Sequence, residues 1–317
     1  MSNISISVVI PLYNKSAHII DALNSINAQQ YAAKEIVIID DGSADKGAMK
    51  AQKHAKYIDV PVRIIRQQNQ GVSVARNRGV EEATSDYVAF LDADDTWLPL
   101  FLDEMVNLIE RFPNASLYAS RYQCVAGKDE YFDANINMEL VAKNGYNPNG
   151  MLLLNYFEIA AEGDLPFMVS SSLVNKAFFL DVGGFPAGEK IGEDQDFFAN
   201  AALRGEIAYS PNINLLYATV AENKATQLVV PKTECPFSKR LTEKVRAENH
   251  SDAKHILKYC AAHLCHLAKL NVKTGQFQRA KQLLSDSRCA LKPKHRIGLY
   301  IAALLGQSVM QLKRTFS

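Results

Sequence analysis

Four short β-rich runs punctuate the first hundred residues, with helix-period segments between them. They are residues 5–10 (SISVVI), 35–39 (EIVII), 62–65 (VRII) and 87–91 (YVAFL). Runs of this length, rich in Val and Ile, read as buried strands. Between the first two, Ser16 is placed to cap a helix whose Ile19, Ile20, Leu23 and Ile26 share one face. Residues 72–83 repeat the helical period. Strands alternating with helices specify βαβ units, hence an α/β fold with a mostly parallel sheet flanked by helices.

In such a sheet ligands bind beyond the carboxyl ends of the strands, where the crossover loops can be polar. Three of the four runs end in polar signatures: Pro11, Leu12, Tyr13, Asn14 after the first, Asp40, Asp41, Gly42, Ser43 after the second, and Asp92, Ala93, Asp94, Asp95 after the fourth. The fold brings these to one edge. Neither GxxxxGK[ST] nor GxGxxG is present, so a phosphate cradle of backbone amides is excluded. Several carboxylates aimed at one place repel each other and call for a hard cation, Mg²⁺ or Mn²⁺, which can also bridge to a diphosphate. Asp45 and Asp95 read as turn or cap acids, whereas Asp41, Asp92 and Asp94 read together as a site. The DADD run is not an EF-hand loop, because Trp97 stands where that loop needs glycine.

A second informative block is residues 183–205. Its glycines supply turns, and Gly192 leads into Glu193, Asp194 and Asp196 at a helix start, followed by Phe197 and Phe198. A helix N-terminus favours acids. Apolar walls beside them raise a carboxyl pKa and suit it to general-base work.

Beyond residue 98 a helix runs to Arg111 and ends before Pro113, residues 143–150 read as loop, and order resumes at residues 170–174. Residues 231–237 form a linker, and from Asp252 onward the pattern is helical only. The sequence therefore divides into a catalytic domain at 1–230 and a helical extension at 231–317. The overall net charge of +1 conceals net +12 in residues 231–317 and −11 in the remainder. A basic end on an acidic body suits an anionic surface; a solvated lysine-rich face is the alternative. Cys260, His263, Cys265 and His266 do not converge as zinc ligands, since Cys265 points away from the others on a helix. Five cysteines without CxxC spacing indicate free thiols in a reducing compartment. The longest uncharged apolar stretch, residues 297–312, is too short and polar to span a bilayer. With no signal-peptide pattern at the start, a cytoplasmic location is expected.

The motifs VVIPLYNK, VIIDDGSAD, NQGVSVARNRGVEEATSDYVAFLDADD, SSSLVNKAFFLDVGGF and GEDQDFF follow one another in order. In this the chain resembles the family 2 glycosyltransferases of bacterial polysaccharide and lipopolysaccharide assembly, which have the GT-A fold. The resemblance covers most of residues 4–205 and does not reach 231–317. It implies a metal-dependent, inverting transfer of a hexosyl or N-acetylhexosaminyl group from a nucleotide-sugar donor, with a leaning to uridine. The acceptor implied is a glycan or lipid-linked hydroxyl. It also implies that Asp41 contacts the base, with Pro11 and Tyr13 near it, and that Arg76 supports the nucleotide. Asp92 is implied at the ribose, Asp94 on the metal, Asp194 as base, and Glu193 as its assistant. Asn200 departs from the basic residue common at that position.

Two other classes fit less well. A sugar-1-phosphate nucleotidyltransferase would carry a glycine-rich basic loop where this chain has PLYNK, and a noncatalytic relative would not need both DxD and GED. Nothing in the sequence points to nucleic acid. The basic extension is expected to make peripheral contact with an anionic membrane, at the inner face of the cell membrane.

Overall fold

The structure is a computed structural model that describes residues 4–127, 130–220, 230–231, 233–248 and 250–315. The first half is β1 (Ile6–Leu12), α1 (Ile19–Asn27), β2 (Glu35–Asp40), α2 (Gly47–His54), β3 (Val62–Arg66), α3 (Val72–Glu82) and β4 (Tyr87–Phe90). These are the elements expected from the alternating pattern. All six residues of β2 are buried, as a strand covered on both faces requires. The sheet runs β3-β2-β1-β4 with every neighbouring pair parallel. Ser16 does not cap α1. His18 holds the cap position without a side-chain bond, while the Ser16 N–H donates to Asp45 Oδ2 at 2.8 Å.

Beyond β4 come β5 (Thr96–Trp97), α4 (Phe101–Arg111), β6 (Leu117–Val125), β7 (Tyr131–Asp133), α5 (Met138–Ala142), β8 (Met151–Leu152) and α6 (Tyr156–Glu162). They are followed by β9 (Ser172–Asn175), α7 (Lys176–Asp181), α8 (Glu193–Arg204) and β10 (Ile207–Ala218). Here the sheet turns mixed: β9 lies antiparallel between β4 and β6, and β10 pairs parallel with β6. β10 contains Pro211, which ordinarily argues against an interior strand. The strand keeps its ladder through register shifts between Ser210 and Ile213 and between Ile213 and Leu215.

Helix α3 lies close on β1. A Cβ at Gly79 would meet Val9 Cγ1 at 2.2 Å, so only glycine lets the two backbones approach this far. Phe90, Phe179, Phe185 and Phe197 form a ring cluster, with centroids 4.8 Å apart for Phe185 and Phe197 and 5.4 Å for Phe90 and Phe185. That cluster seats the start of α8 against the end of β4.

The chain forms two compact units: Met1–Tyr156 with Leu165–Lys224, and Phe157–Asp164 with Ala225–Ser317. The second contains α9 (Pro236–Glu248), α10 (Ala253–Lys273), α11 (Phe277–Leu284) and α12 (Pro293–Thr315). Pro236 starts α9, a position where its missing N–H costs nothing. A buried Arg288 donates to Glu234 at 2.6 Å and to Asp286 at 2.8 Å, which satisfies its fork. Phe157 packs on Tyr259 at 5.8 Å, and Glu162 pairs with Lys258 and with Lys292, the latter at 2.8 Å. These contacts hold residues 157–164 with the helices, although a sequence division at 230 places them in the first domain. All five cysteines are buried, and none is in a disulfide. His263 packs edge-on to Phe237 at 4.7 Å, and burial holds its pKa down at about 4.

Candidate active site

The polar strand exits meet at the carboxyl edge of β1, β2 and β4. The loop after β1 and the loop after β2 are laced together. The Asp41 N–H donates to Leu12 O at 2.8 Å, and the Asn14 N–H to Ser43 Oγ at 3.1 Å. Asn14 Oδ1 accepts from the Ala44 N–H at 2.9 Å; Asn14 itself takes a left-handed φ of 52°, which its amide side chain tolerates. Tyr13 is left 46% exposed, available to stack on a ligand, and Pro11 is half-buried beside it.

Asp41 is buried and heavily engaged. Its Oδ1 accepts from Gln67 Nε2 at 2.8 Å and from the Gln70 N–H at 2.9 Å, and its Oδ2 from the Gly71 N–H at 2.9 Å. A carboxylate has about four acceptor sites, so one remains. Asp41 therefore fixes the loop that opens α3 while keeping limited capacity for a ligand.

Arg76, on α3, is the centre of the site. It is 4% exposed and lies over the Phe185 ring at 5.2 Å. Its Nη2 donates to both oxygens of Asp92, at 2.8 and 2.9 Å, and its Nη1 to Glu193 Oε1 at 3.4 Å. One buried cation thus joins the first acid of DxD to the first acid of GED, which lie 101 positions apart in sequence. Asn77, next along α3, fixes the same junction: it donates to Phe185 O at 2.8 Å and accepts from the Phe185 N–H at 2.9 Å.

Glu193 and Asp194 begin α8 after Gly192, whose φ of 87° is left-handed and favours glycine. Burial, reinforced by Asp194, pushes the Glu193 carboxyl up to about 7 despite the opposing pull of Arg76. Burial also raises Asp194, although its Oδ1 accepts from the Gln195 N–H at 2.7 Å. The helix N-terminus favours the ionised forms, and desolvation outweighs it. Phe197 and Phe198, both fully buried, form the apolar wall beside them.

Asp94 pairs with Lys15 Nζ at 2.8 Å, and both side chains are nearly buried, at 9% and 12%. Among the described residues no three His, Cys, Asp or Glu side chains converge to hold an ion. Asp92 and Asp94 offer hard oxygen donors that fit Mg²⁺ or Mn²⁺ only if further ligands come from outside the protein. Asp95 is structural: its Oδ2 accepts from Ser170 Oγ at 2.5 Å and its Oδ1 from the Ala218 N–H at 3.0 Å. Asp45 likewise accepts from the Gly47 N–H at 2.8 Å. Asn200 is turned into its own helix, donating to Asp196 O at 3.0 Å.

Three residues of the site have no role in the sequence reading. Lys15 neutralises Asp94. Ser170 supports the DxD turn, its hydroxyl accepting from the Asp92 N–H at 3.1 Å and donating to Asp95. Tyr217 lies on β10, where burial and the carboxylates of Asp95, Asp92, Asp194 and Asp94 push its hydroxyl well above the usual phenol range. Its strand is the one whose Pro and Asn residues mask the β pattern, so no local signal marks it.

Residues 7–162 match the model of the family described as glycosyl transferase family 2, a span that ends before Glu193 and Asp194. The amylovoran biosynthesis glycosyltransferase AmsB of Erwinia amylovora is 41% identical over 113 residues, 35% of this chain and 38% of that protein. The Escherichia coli glycosyltransferase YibD is 43% identical over 103 residues, which is 32% of this chain and 30% of that one. These matches span about a third of the curated relatives' own length. A Haemophilus influenzae glycosyltransferase is 26% identical over 218 residues, 68% of each chain. The crystal structure of S. aureus TarS 1-349 in complex with UDP-GlcNAc superposes with a TM-score of 0.65 at 19% identity, over 97% of this chain and 92% of that one. Residues 7–162 of this chain, which carry the strand-end motifs, thus match glycosyl transferase family 2, and the chain shares the GT-A fold of TarS.

Proposed function

We propose that this chain transfers a sugar from a nucleotide diphosphate sugar, UDP-linked by preference, to an acceptor hydroxyl with inversion at the anomeric carbon. The observation that carries the reading is Arg76 held between Asp92 and Glu193, which ties the donor-side acids to the acceptor-side acids through one buried cation. Asp41, with Pro11 and Tyr13, would receive the base, and Asp92 the ribose. Asp94, with Asp92, would hold Mg²⁺ or Mn²⁺ against the donor diphosphate; the chemistry supplied there is neutralisation of charge on the departing nucleotide diphosphate. Lys15, paired with Asp94 in the free protein, lies where it can add a second positive charge.

Asp194 would take the acceptor proton. Its raised pKa brings its basicity closer to working pH than an exposed aspartate allows, and Glu193 would orient the acceptor. The UDP-GlcNAc complex of TarS supports a uridine donor, and AmsB, named for amylovoran biosynthesis, supports a role in surface polysaccharide assembly. A lipid-linked acceptor at the inner face of the cell membrane accords with the net +12 of residues 231–317. We assign the first compact unit, Met1–Tyr156 with Leu165–Lys224, as the catalytic part of the chain.

The test is incubation of the chain with a panel of nucleotide sugars, with Mn²⁺ and with chelator, while following release of nucleoside diphosphate. Release from one donor, dependent on Mn²⁺ and abolished in Asp94→Ala with the fold intact, is the expected result. Pyrophosphate exchange without sugar transfer would point to a nucleotidyltransferase. No turnover with any donor would leave a binding subunit. Asp94→Ala binding donor and metal as the parent does would remove Asp94 from the metal.

A further inference from the structure

The last helix, α12, presents five large apolar side chains to the outside. Ile297 is 60% exposed, Tyr300 42%, Ile301 50%, Leu304 45% and Leu305 63%. Spacings of three and four residues, at about 100° per residue, gather them into one stripe about 140° wide.

The opposite face of α12 is already occupied. Ala303 is fully buried, and Gly306 sits so close to α11 that a Cβ there would meet the Phe277 ring at 2.3 Å. Arg296 Nε donates to Leu284 O at 3.0 Å, and Lys281 Nζ to Gln307 Oε1 at 2.6 Å. The helix is therefore docked by one side, and the stripe is the side that its own unit does not use. A contiguous apolar stripe in water marks an interaction surface.

Charge identifies the partner. Residues 293–317 contain Lys294, Arg296, Lys313 and Arg314 and no acid; the side chains of Lys313 and Arg314 lie outside the described residues. Residues 252–317 as a whole carry net +10. Lys294 is exposed and stands three positions before Ile297, on the stripe itself. A second copy offering the same face would set these cations against their equals, whereas an anionic leaflet attracts them. No helix among the described residues is long and apolar enough to cross a membrane, so a helix of this composition lies in the interface plane.

We propose that Ile297, Tyr300, Ile301, Leu304 and Leu305 form a membrane-docking face, which seats α12 in the headgroup layer of an anionic phospholipid bilayer with Lys294 at its rim. This specifies the peripheral contact proposed above and does not depend on the donor or the reaction.

The experiment is co-sedimentation of the full chain with vesicles of phosphatidylcholine alone and of phosphatidylcholine with phosphatidylglycerol. The chain should bind the anionic vesicles at low salt and leave them as salt rises, because screening shortens the reach of its charges. Ile301→Ser with Leu305→Ser should weaken partitioning by about tenfold or more, since two large side chains lose their apolar burial. Lys294→Glu should weaken it a few-fold, on anionic vesicles only. Both changes are at exposed positions, and unchanged circular dichroism would verify the fold. Absence of the full chain from anionic pellets, equal binding to neutral vesicles, or undiminished binding by the double variant would overturn the proposal. So would light scattering that showed a dimer of the parent and a monomer of the double variant, since a second copy would then cover the stripe.

Discussion

The carboxyl edge of the sheet and the outer face of α12 break the same rule in opposite senses. At the sheet edge charge goes inside: Arg76 is 4% exposed, and Lys15 and Asp94 are nearly as hidden. On α12 apolar surface goes outside, with Leu305 63% exposed. Proteins bury charge only when it is answered, and most of the buried charge at the sheet edge is paired within the fold. Arg76 answers Asp92 and Glu193, Lys15 answers Asp94, and backbone amides answer Asp41. The exposed stripe of α12 has no such answer inside its own unit. The first region meets its charges from within the fold; the second leaves its apolar stripe uncovered by its own unit.

If the sheet edge is built for chemistry, the largest effect will come from a change that alters only basicity. Asp194→Asn keeps the shape, and turnover should fall by about 10² to 10⁴ with donor affinity little changed. Steady-state kinetics beside a donor-binding titration measures this, and full activity in the variant would move the base, with Glu193 the first candidate.

Next in size is the test of mutual answering. Arg76→Met leaves Asp92 and Glu193 without their cation, and should cost about 3–5 kcal/mol in urea unfolding at neutral pH. The cost should shrink in acid, where Glu193, already pushed up to about 7 by burial, is neutral. A variant as stable as the parent at neutral pH would mean that the acids do not need Arg76.

The smallest effect concerns the price of holding Glu193 in place. Its folded pKa of about 7 lies above its ordinary value of 4.5, so the folded chain holds this proton to higher pH than the unfolded chain does. Its contribution is therefore full below about pH 4.5 and is lost as pH rises through about 7. Glu193→Gln, neutral throughout, should be about 3 kcal/mol more stable than the parent near pH 8.5 and no more stable near pH 4. Thermal melts at the two pH values would check the sign, and a gain at pH 4 alone would reverse it.

The strands β1 to β4 were legible because each is a short, β-branched run bounded by turn residues, and the helices α1 and α4 because their apolar residues fall on one face. The mixed half of the sheet was not legible. β10 hides behind Pro211, Asn212 and Asn214, and only its pairing with β6 and two register shifts make it a strand. Helix α12 could be read as an amphipathic helix with basic flanks, but which side of it faces outward could not.

The sequence by itself determined the order of the motifs and which acids stand at strand ends and helix starts, because these are local properties of spacing and residue type. Only the tertiary structure decided who answers whom. That Arg76 bridges Asp92 and Glu193, that Lys15 rather than another residue holds Asp94, and that residues 157–164 pack with the helices of the second unit are all contacts between distant parts of the chain. Such partners are selected by closure of the fold and by the cost of leaving a buried charge alone, and no local pattern encodes either.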